Sequence, residues 1–433
     1  MGIIGIRKED KSRWERRAPV DPSTVAALVR DLGMEVLVEH SAVRVFTDDQ
    51  YRQAGARLTD DVSRADVILG VKEVPVRKLA AGRTYVFFSH TIKGQKHNMP
   101  MLARLMQLKC SLLDYERIVD SKGRRLVFFG YHAGLAGMID TLWALGYRLN
   151  REGVATPFVK VLKAHQYDDL AHAMSCIGDV GNALRRVGLP PRLVPLVVGF
   201  TGSGNVSQGA QHVLSNLPVT EVGAANLESL HAKGKASPHT IYKVVFNEPD
   251  IAVRKGGGEF HFKEYYDHPT RYEGTFDKYL PFVSVLVNGI YWTPKYPRIV
   301  TREQVKSLHA QRKLRLRVVG DISCDIEGSV ELTTQATNQE QPLLVYNPEN
   351  DTTVLDSDAP GIAVLAVDNL PCELPADSTR HFGRSLRPYL AALAALDRSK
   401  PFAELSLPPE LAPALILWNG ELTPAYQYLS QYL

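Results

Sequence analysis

Short apolar runs alternate with amphipathic segments along the first third of the chain. One such segment starts at Asp21-Pro22, carries apolar residues at helical spacing and ends at Gly33, which predicts a helix with a capping residue at each end. A second helical pattern lies around residues 101–108. The apolar runs themselves have the length of buried strands and lie at 3–6, 36–38, 67–71, 85–88 and 111–113. This alternation predicts a parallel, doubly wound α/β sheet.

A second unit of the same kind follows in the middle of the chain. A predicted strand at 195–200 leads through a glycine-rich turn into a predicted helix at 206–214. Later apolar runs lie at 241–246, 282–287 and 316–322. Between the two units, the segment 132–188 is mostly helical in pattern, and the loop-rich last quarter contains one Ala/Leu-rich helix at 389–396. We therefore expect two Rossmann-like units.

Composition and charge exclude several classes of protein. Of the 433 residues, 45% are hydrophobic and 23% are charged, which is typical of globular proteins and not of disordered or fibrous chains. The 51 basic and 47 acidic residues leave a net charge of +4, which is too small to indicate a nucleic-acid partner. The 4 cysteines form no CxxC pair, so we expect a reducing compartment and no metal site.

Neither a membrane span nor a secretion signal is expected. The most apolar stretch, residues 126–145, contains His132, Asp140 and several glycines, so a buried helix is predicted instead of a span. The apolar run at the N-terminus is interrupted at Arg7 and is too short for a signal peptide. We expect a cytoplasmic protein, or one of the mitochondrial matrix if the sequence is a domain of a longer precursor.

The glycine-rich turn joins a strand to a helix, which is the context that a dinucleotide-binding fingerprint requires. Gly202 permits the tight turn, and Gly204 allows the backbone to approach a pyrophosphate. Ser207 replaces the usual third glycine and is still small, although a lone Gly-x-Gly would also fit a tight turn without a ligand. The N–H groups at the helix start would bind the anion. The predicted cofactor-binding residues of the turn are Gly202, Ser203, Gly204, Asn205 and Val206.

The second strand of this unit, residues 219–223, bears on the choice between NAD and NADP. An NAD site usually has a carboxylate at the end of that strand, where it binds the ribose 2′-hydroxyl. Glu221 lies inside the strand, and Gly223 stands at its end. Without a terminal carboxylate a 2′-phosphate would not be repelled. This favours NADP(H), with NAD(H) as the weaker alternative.

Charged side chains follow the predicted strands of the first unit, at the edge where open α/β sheets bind ligands. Each of them alone is compatible with a solvated loop. Together they supply arginine forks that fit carboxylates, and a lysine and a histidine that can exchange protons near neutral pH. This set suits proton transfer on a substrate with several carboxylates. Its members are Arg17, Lys72, Glu73, His90, Lys93, Glu116 and Arg125.

Six long motifs indicate the family. They are GIRKEDKSRWERRAP (5–19), ILGVKEVP (68–75), TYVFFSHTIKGQ (84–95), FTGSGNVSQGAQ (200–211), NGIYW (288–292) and GDISCDIEGSVE (320–331). On these motifs, nearly the whole chain resembles the lysine–ketoglutarate reductase family, which forms one half of the bifunctional aminoadipic semialdehyde synthases of animals and plants. Fungal saccharopine dehydrogenases and alanine dehydrogenases are similar at a greater distance.

The resemblance implies a role for each polar residue at the strand ends. Lys72 and His90 match the acid–base pair of the wider family. Arg17 and Arg125 would bind the carboxylates of an oxoacid substrate. The residues that match the surrounding polar shell are Glu73, Lys93 and Glu116.

The resemblance also implies the domain layout. Two Rossmann-like domains would be separated by a cleft, with Asn288 and Asp325 near the nicotinamide of the cofactor. The expected domains are a substrate domain of residues 1–128 plus 326–433, and a dinucleotide-binding domain of residues 129–325 with a helical insertion at 132–188.

The implied reaction is the reductive condensation of L-lysine with 2-oxoglutarate to saccharopine, with NADPH as the reductant. No nucleic acid and no membrane is expected as a partner, and a homo-oligomer is compatible with the sequence. Two alternatives stay open. One is an amino-acid or opine-type dehydrogenase of the same fold that uses another amine. The other is a non-catalytic nucleotide-binding module, against which the presence of Lys72 and His90 argues.

Overall fold

The chain is organised in two units, each built around an eight-stranded sheet. The computed structural model describes residues 2–232, 234 and 236–433. One unit comprises Met1–Phe129 and Pro375–Leu433, and the other comprises Gly130–Leu374. The first unit is therefore discontinuous in sequence.

Strands and helices are numbered in chain order. The described strands are β1 (Ile4–Ile6), β2 (Val36–Glu39), β3 (Arg57–Thr59), β4 (Val67–Leu69), β5 (Thr84–Phe87), β6 (Ser111–Asp114), β7 (Val197–Thr201), β8 (Val219–Glu221), β9 (Ile241–Phe246), β10 (Ala252–Arg254), β11 (Tyr272–Gly274), β12 (Val285–Asn288), β13 (Val318–Asp321), β14 (Leu343–Asn347), β15 (Thr352–Val354), β16 (Ile362–Leu365), β17 (Leu415–Trp418) and β18 (Glu421–Leu422). The described α-helices are α1 (Pro22–Leu32), α2 (Asp48–Gln53), α3 (Met99–Gln107), α4 (Gly130–Arg151), α5 (Leu170–Val187), α6 (Asn205–Leu214), α7 (Leu227–Ala232), α8 (Glu248–Ile251), α9 (Phe262–Asp267), α10 (Arg302–Ala310) and α11 (Pro375–Ala394).

The sheet of the first unit confirms the doubly wound plan. Its strand order is β18-β17-β6-β5-β4-β1-β2-β3, and β1 to β6 are parallel to one another. β17 pairs antiparallel with β6 and brings the C-terminal part of the chain into the sheet. The order of the strands reverses between β1 and β4. Ligands of open α/β sheets bind beyond the carboxyl ends of the strands at such a point.

The central strands of this sheet are apolar, as is typical of parallel strands that are buried on both faces. β1, β4, β5 and β6 are buried throughout. α1 contacts β2 and α11, and both of its predicted caps are present. The carboxylate of Asp21 accepts the N–H of Ser23, and Gly33 adopts the left-handed conformation that ends the helix.

The second sheet differs from the expected strand arrangement at one edge. Its order is β15-β14-β16-β13-β12-β7-β9-β8, with parallel pairs from β16 to β8 and antiparallel pairs at β14 and β15. β9 therefore lies between β7 and β8, although β8 follows β7 in the chain. Gly223 thus follows the edge strand β8, which pairs with β9 and not with β7, and the preference for NADP(H) over NAD(H) stays a prediction.

The C-terminal boundary of the second unit also lies later than expected. Residues 326–374 belong to the second unit, and the chain returns to the first at Pro375 and not near residue 326. The reason is that β16 pairs with β13 and β14 pairs with β16, so both apolar strands extend the second sheet. The return begins with α11, which is 20 residues long and starts well before the predicted helix at 389–396. Its first half contains few large apolar residues.

The predicted helical segment 132–188 forms α4 and α5 of the second unit. α4 packs closely on α6 through glycines. A Cβ atom at Gly134 would lie 1.9 Å from the carbonyl oxygen of Val206, and one at Gly209 would lie 2.1 Å from that of Tyr131. Within the described part of the chain, every helix is too short or too polar to span a bilayer.

Candidate functional site

The polar residues predicted at the strand ends lie at one edge of the first sheet. β1, β4, β5 and β6 are adjacent, and the loops that leave their carboxyl ends carry the candidate side chains. Among these candidates, the structure brings His90 and Glu73 into direct contact and pairs Arg125 with Glu116.

His90, one member of the predicted acid–base pair, is in close contact with Glu73. His90 Nδ1 lies 2.6 Å from Glu73 Oε1, and the ammonium of Lys11 donates to Glu73 Oε2 at 2.9 Å. Burial alone would raise the pKa of Glu73, but the hydrogen bonds from His90 and Lys11 hold it down at about 2. Glu73 is therefore ionised at neutral pH. Its carboxylate orients the imidazole so that Nε2 is the ring nitrogen left for proton exchange.

The backbone of His90 adopts an unusual conformation. Its φ of 49° is in the left-handed region, which is uncommon for residues other than glycine and is found preferentially at functional sites. Asn98 Nδ2 donates to the carbonyl oxygen of His90 at 3.2 Å. Buried Asp114, at the end of β6, accepts the N–H groups of Ser89 at 3.0 Å and Glu116 at 2.8 Å. Asp114 thereby fixes the ends of β5 and β6.

Lys72 follows β4 and is half-buried. Burial and, after it, the charge of Arg17 lower the pKa of the Lys72 ammonium, while Glu15 acts in the opposite direction. Among residues 2–232, 234 and 236–433, no hydrogen bond or ion pair engages Lys72 Nζ. The amine is therefore available to exchange a proton with a ligand.

Glu9 holds the loop that carries Lys72, and it is not among the residues predicted from the sequence. Its carboxylate oxygens accept the backbone N–H groups of Val71 and Lys72 at 2.7 and 3.0 Å. Burial, opposed by the guanidinium of Arg7 at 3.4 Å, raises the pKa of Glu9 to about 7. The signal in the sequence is a carboxylate just beyond β1, at the point where the strand order reverses.

Arg17 is buried beside these groups and is held in a fixed orientation. Its Nε and Nη2 donate to the two carboxylate oxygens of Glu15 at 2.7 and 2.6 Å. Its guanidinium carbon lies 4.2 Å from the centre of the Phe129 ring, which stacks in turn on Phe382. Glu15 thus occupies the Nε–Nη2 edge of the guanidinium, and a role of Arg17 toward a substrate carboxylate stays a prediction.

Arg125 and Lys93 are more exposed to solvent than Arg17. The side chain of Arg125 is 53% exposed and lies 3.4 Å from Glu116, and Lys93 is exposed in the loop after β5. In the described part of the chain, neither residue is joined to His90 or Glu73 by a hydrogen bond or an ion pair. Their roles toward the substrate stay predictions.

The glycine-rich turn of the second unit has the geometry of a phosphate-binding loop. Gly202 has a φ of 78°, and a Cβ atom there would lie 2.8 Å from the side chain of Ile290. Gly204 precedes α6, no described side chain caps the first turn of that helix, and no described atom lies within 4 Å of the place a Gly204 Cβ would occupy. The turn 202–206 therefore fits the pyrophosphate of a dinucleotide.

A cavity of about 380 Å³ lies beside this turn. The N–H of Gly202 donates to the carbonyl oxygen of Phe246 at 2.9 Å, so the end of β9 adjoins the turn. Glu248 follows two residues later and is the one charged side chain among the described residues that line the cavity. The aromatic lining residues are Tyr265, Tyr266, Tyr291, Trp292 and Tyr296.

Asn288 and Asp325 differ in their surroundings. Asn288 ends β12 and is fully buried. Its Oδ1 accepts the hydroxyl of Thr201 at 2.7 Å, and its Nδ2 donates to Asp321 and Ser329 at 2.8 Å each. Asn288 thus links the ends of β7, β12 and β13, while Asp325 is exposed in the loop after β13. A role of either residue near a nicotinamide stays a prediction.

Metal-ligating side chains are dispersed in the structure. The cysteines at 110, 176 and 324 are free thiols. No group of three or more His, Cys, Asp or Glu side chains in residues 2–232, 234 and 236–433 is placed to hold a metal ion.

Two protein-family profiles match the chain. The one described as "Alanine dehydrogenase/PNT, N-terminal domain" matches residues 5–136, and the one described as "Alanine dehydrogenase/PNT, C-terminal domain" matches residues 270–425. The two matches cover the candidate acid–base residues of the first unit, and Asn288 and Asp325 of the second.

The chain is also similar to curated enzymes of lysine metabolism. It is 36% identical to the mitochondrial alpha-aminoadipic semialdehyde synthase of Rattus norvegicus and 37% identical to the synthase of Arabidopsis thaliana, in each case over 99% of this chain. The chain spans about half the length of these relatives, 48% and 41%. It is 28% identical to the saccharopine dehydrogenase (NAD(+), L-lysine-forming) of Neurospora crassa, over 90% of this chain and 91% of that protein.

Two solved structures share the fold. An L-alanine dehydrogenase aligns with a TM-score of 0.63 at 18% identity over 99% of both chains. The transhydrogenase from Sinorhizobium meliloti aligns with a TM-score of 0.56 at 16% identity, over 97% of this chain and all of that one. At these identities the likeness concerns the fold alone, and it confirms the predicted pair of Rossmann-like units.

Proposed function

Since the chain belongs to the alanine dehydrogenase/PNT family, we propose that it is an oxidoreductase that joins L-lysine to 2-oxoglutarate and reduces the imine to saccharopine. The identities of 36% and 37% to aminoadipic semialdehyde synthases support this choice of substrates. The observation that carries the proposal is the group at the edge of the first sheet. There, a half-buried lysine that has no hydrogen-bond or ion-pair partner among the described residues and a histidine fixed by a carboxylate follow adjacent parallel strands.

His90 and Lys72 would perform the proton transfers. The ε-amine of lysine must be neutral to attack the ketone, and His90, oriented by Glu73, would accept its proton. The carbon–nitrogen bond then forms, and the resulting carbinolamine loses water. Lys72, whose lowered pKa makes its ammonium a better acid near neutral pH, would protonate the departing hydroxyl. Glu9 would act as a positioning residue through the backbone of Lys72.

Arg17 and Arg125 would bind the carboxylates of 2-oxoglutarate. Arg17 is the stronger candidate, because it is buried and its plane is fixed between Glu15 and Phe129. Lys93 and Glu116 would complete the polar shell. Holding the oxoacid in one orientation converts the attack of the amine into an effectively unimolecular step.

The second unit would bind the reductant. A bound nicotinamide dinucleotide supplies the hydride that reduces the imine carbon. Residues 202–206 would hold its pyrophosphate, and Asn288 and Asp325 would lie near the nicotinamide. NADPH is the proposed reductant on the family resemblance, while Gly223 adds little support because it follows the edge strand β8, which does not adjoin β7. The name of the Neurospora crassa relative specifies NAD(+) for that protein.

One other activity has support. The family profiles carry the name alanine dehydrogenase, which favours an amino-acid dehydrogenase that uses ammonia as the second candidate. A cytoplasmic location and a homo-oligomer stay predictions. The name of the Rattus norvegicus relative places that protein in mitochondria.

A steady-state screen tests the proposed function. The full chain is assayed with 2-oxoglutarate and either NADH or NADPH, and the amine is varied among L-lysine, L-ornithine, ammonia and other amino acids. Pyruvate replaces 2-oxoglutarate in a parallel series. We expect L-lysine with 2-oxoglutarate to give the highest kcat/KM for one of the cofactors. A higher kcat/KM with ammonia and pyruvate would contradict the proposal and favour the second candidate.

A further inference from the structure

The C-terminal segment, Pro424–Tyr432, packs against the loop that carries His90. It is a 3₁₀ helix, and Tyr426 and Leu429 anchor it in the hydrophobic core of the first unit, where both side chains are buried. Residues three apart lie on the same face of such a helix, so Tyr432 shares a face with the two anchors. The anchored segment can therefore act as a fixed support for the loop that it contacts.

Two tyrosines of the segment contact the turn at residues 91–94, directly after this histidine. The turn is closed by a hydrogen bond from the N–H of Gly94 at 2.9 Å. The hydroxyl of Tyr428 donates to the carbonyl oxygen of Ile92 at 2.6 Å. The ring of Tyr432 lies against Gly94, where a Cβ atom would come within 2.6 Å of a ring carbon. Gly94 has a φ of 64°, so both its conformation and the approach of the ring require glycine.

The segment also contacts the loop after β6. Arg117 Nε donates to the hydroxyl oxygen of Tyr426 at 3.0 Å, and that hydroxyl donates to the carbonyl oxygen of Pro413 at 2.5 Å. Arg117 directly follows Glu116 in the chain. Two loops with candidate side chains of the site are thus tied to one segment that lies 309 and 336 residues further along the chain.

Support for the turn matters because the backbone of His90 is strained. A residue in the left-handed region keeps that conformation only where the surrounding structure determines it. On the N-terminal side, Asp114 accepts the N–H of Ser89 at 3.0 Å. On the C-terminal side, the contacts with Tyr428 and Tyr432 hold the turn from outside.

We propose that Tyr428 and Tyr432 are positioning residues, which hold the 91–94 turn and thereby keep the imidazole of His90 against Glu73. The proposal rests on the proposed function in one respect, namely that His90 exchanges the proton of the amine. Neither tyrosine is assigned a contact with substrate or cofactor. Their effect on the reaction would pass through the backbone of the loop.

The variants separate the two contacts and include matched controls. Tyr428→Phe removes only the hydroxyl that donates to Ile92, and Tyr432→Ala removes the ring that covers the turn. Tyr432→Phe keeps that ring and is the conservative variant. Ser430→Ala is the control in the same segment, since the hydroxyl of Ser430 donates within the segment, to the carbonyl oxygen of Gln427 at 2.7 Å.

Two measurements are made on the full chain of each variant. Hydrogen exchange, followed by mass spectrometry of peptides that cover residues 88–96, reports on the turn, and steady-state kinetics give kcat with L-lysine and 2-oxoglutarate. We expect Tyr428→Phe to lower kcat and to speed exchange by about 3–10-fold, the scale of one hydrogen bond, and Tyr432→Ala to do so at least as much. Tyr432→Phe and Ser430→Ala should match the parent. The Kd of the cofactor and the Tm should stay parental in all four variants.

The outcomes distinguish this inference from the proposed activity. Parental exchange in Tyr428→Phe and Tyr432→Ala, or faster exchange with a parental kcat, would overturn the positioning role. Equal losses in Tyr432→Phe and Tyr432→Ala, or a loss in Ser430→Ala, would overturn it as well. If exchange rises as expected but the parent itself forms no saccharopine, the hold of the two tyrosines on the turn stands and the proposed function fails.

Discussion

Glu73 connects the groups that would move protons. Its carboxylate contacts the imidazole of His90 and the ammonium of Lys11, and it follows Lys72 in the chain. With a pKa of about 2, it remains ionised wherever the enzyme would work. A fixed carboxylate on Nδ1 sets the tautomer of the ring. The proton taken from an amine would therefore be handled at Nε2 of His90.

Loss of either acid–base residue should slow the chemistry and spare cofactor binding. We expect Lys72→Met and His90→Gln each to lower kcat by about 10²-fold or more, since a positioned acid or base contributes about 10²–10⁴-fold. The Kd of the cofactor should stay at the parental value, and one limb of the pH–rate profile should flatten. The double variant should lose less than the product of the single losses, because the two groups share one sequence of proton transfers.

Lys78→Met is the matched control for these variants. Lys78 lies in the same unit and pairs with Asp10 at 2.5 Å, so its loss should leave kcat at the parental value. Parental kcat in both folded single variants, Lys72→Met and His90→Gln, would remove the pair from the mechanism. The next residues to test would be Glu116 and Asp325.

Arg17→Lys tests whether the fixed guanidinium binds the oxoacid. Lysine keeps the charge but loses the two-point pairing with Glu15 and the stacking on Phe129. We expect the KM for 2-oxoglutarate to rise about 10-fold or more, since one hydrogen bond to a charged group is worth about 1.5–3 kcal/mol. Arg124→Lys, at an exposed arginine paired with Asp120, is the control. A parental KM in folded Arg17→Lys would assign Arg17 a structural role.

For single residues, the sequence predicts which side chains are candidates for the site better than it predicts which groups those side chains contact. Lys72, His90 and Arg17 stand beside motifs or strand ends that can be read directly. Glu9 cannot be found in this way, because the N–H of Val71 that it accepts lies 62 residues further along the chain. A carboxylate after a strand does not reveal which backbone groups it will satisfy.

Among the elements, β8 and β9 show what hydrophobic pattern can and cannot predict. Both strands are found from their apolar residues, but the pattern does not contain their lateral order. Burial explains that order: β9 has six residues and is mostly buried, whereas β8 has three and is largely exposed. The more apolar strand occupies the position beside β7, and the more polar one forms the edge.

The close packing of α4 on α6 leads to a prediction about stability. Gly209→Ala should lower the free energy of unfolding by about 1–3 kcal/mol, because its Cβ atom would overlap the carbonyl oxygen of Tyr131. Gly178 on α5 is the control, since no described atom lies within 4 Å of its would-be Cβ. Gly178→Ala should raise that free energy by about 0.5–1 kcal/mol. Urea denaturation measures both, and equal effects would contradict the packing argument.

For the whole molecule, the hydrophobic pattern predicts two α/β units, but it does not show where the chain returns from the second unit to the first. The apolar strands β14 and β16 could join either sheet on hydrophobicity alone. The structure has them extend the second sheet, since β16 pairs with β13. The polar first half of α11 conceals the point at which the chain returns to the first unit, Pro375. The fold class is confirmed. The boundary between the second unit and the C-terminal part of the first lies at Pro375 and not near residue 326, because β14 and β16 belong to the second sheet.

Two buried carboxyl groups make the stability of the second unit depend on pH. Asp140 lies on α4, and Glu373 precedes the return at Pro375. Burial raises the pKa of Glu373 to about 7 and that of Asp140 above its ordinary value. His165 Nδ1 lies 3.1 Å from Glu373, and Lys163 is close enough to lower the pKa of that carboxyl group.

Glu373→Gln should therefore change stability in a pH-dependent way. A carboxyl group with a raised pKa in the folded state stabilises the protein at low pH, and this contribution is lost as pH rises through the folded pKa. For Glu373 the loss falls between pH 4.5 and about 7. Across that window the free energy of unfolding of Glu373→Gln, relative to the parent, should rise by about 1–3 kcal/mol. Exposed Glu349→Gln should show no such trend, and a pH-independent difference for Glu373→Gln would contradict the assignment.

The central claim is that the ε-nitrogen of lysine is joined to the ketone carbon of 2-oxoglutarate and that this carbon receives the hydride. The most direct measurement is mass spectrometry of the product from lysine carrying heavy nitrogen at the ε-position and reduced cofactor carrying deuterium at the transferred position. The account predicts saccharopine that contains both labels, with deuterium on the former ketone carbon. Deuterated glutamate without the heavy nitrogen, or a deuterated product that contains no lysine, would contradict it.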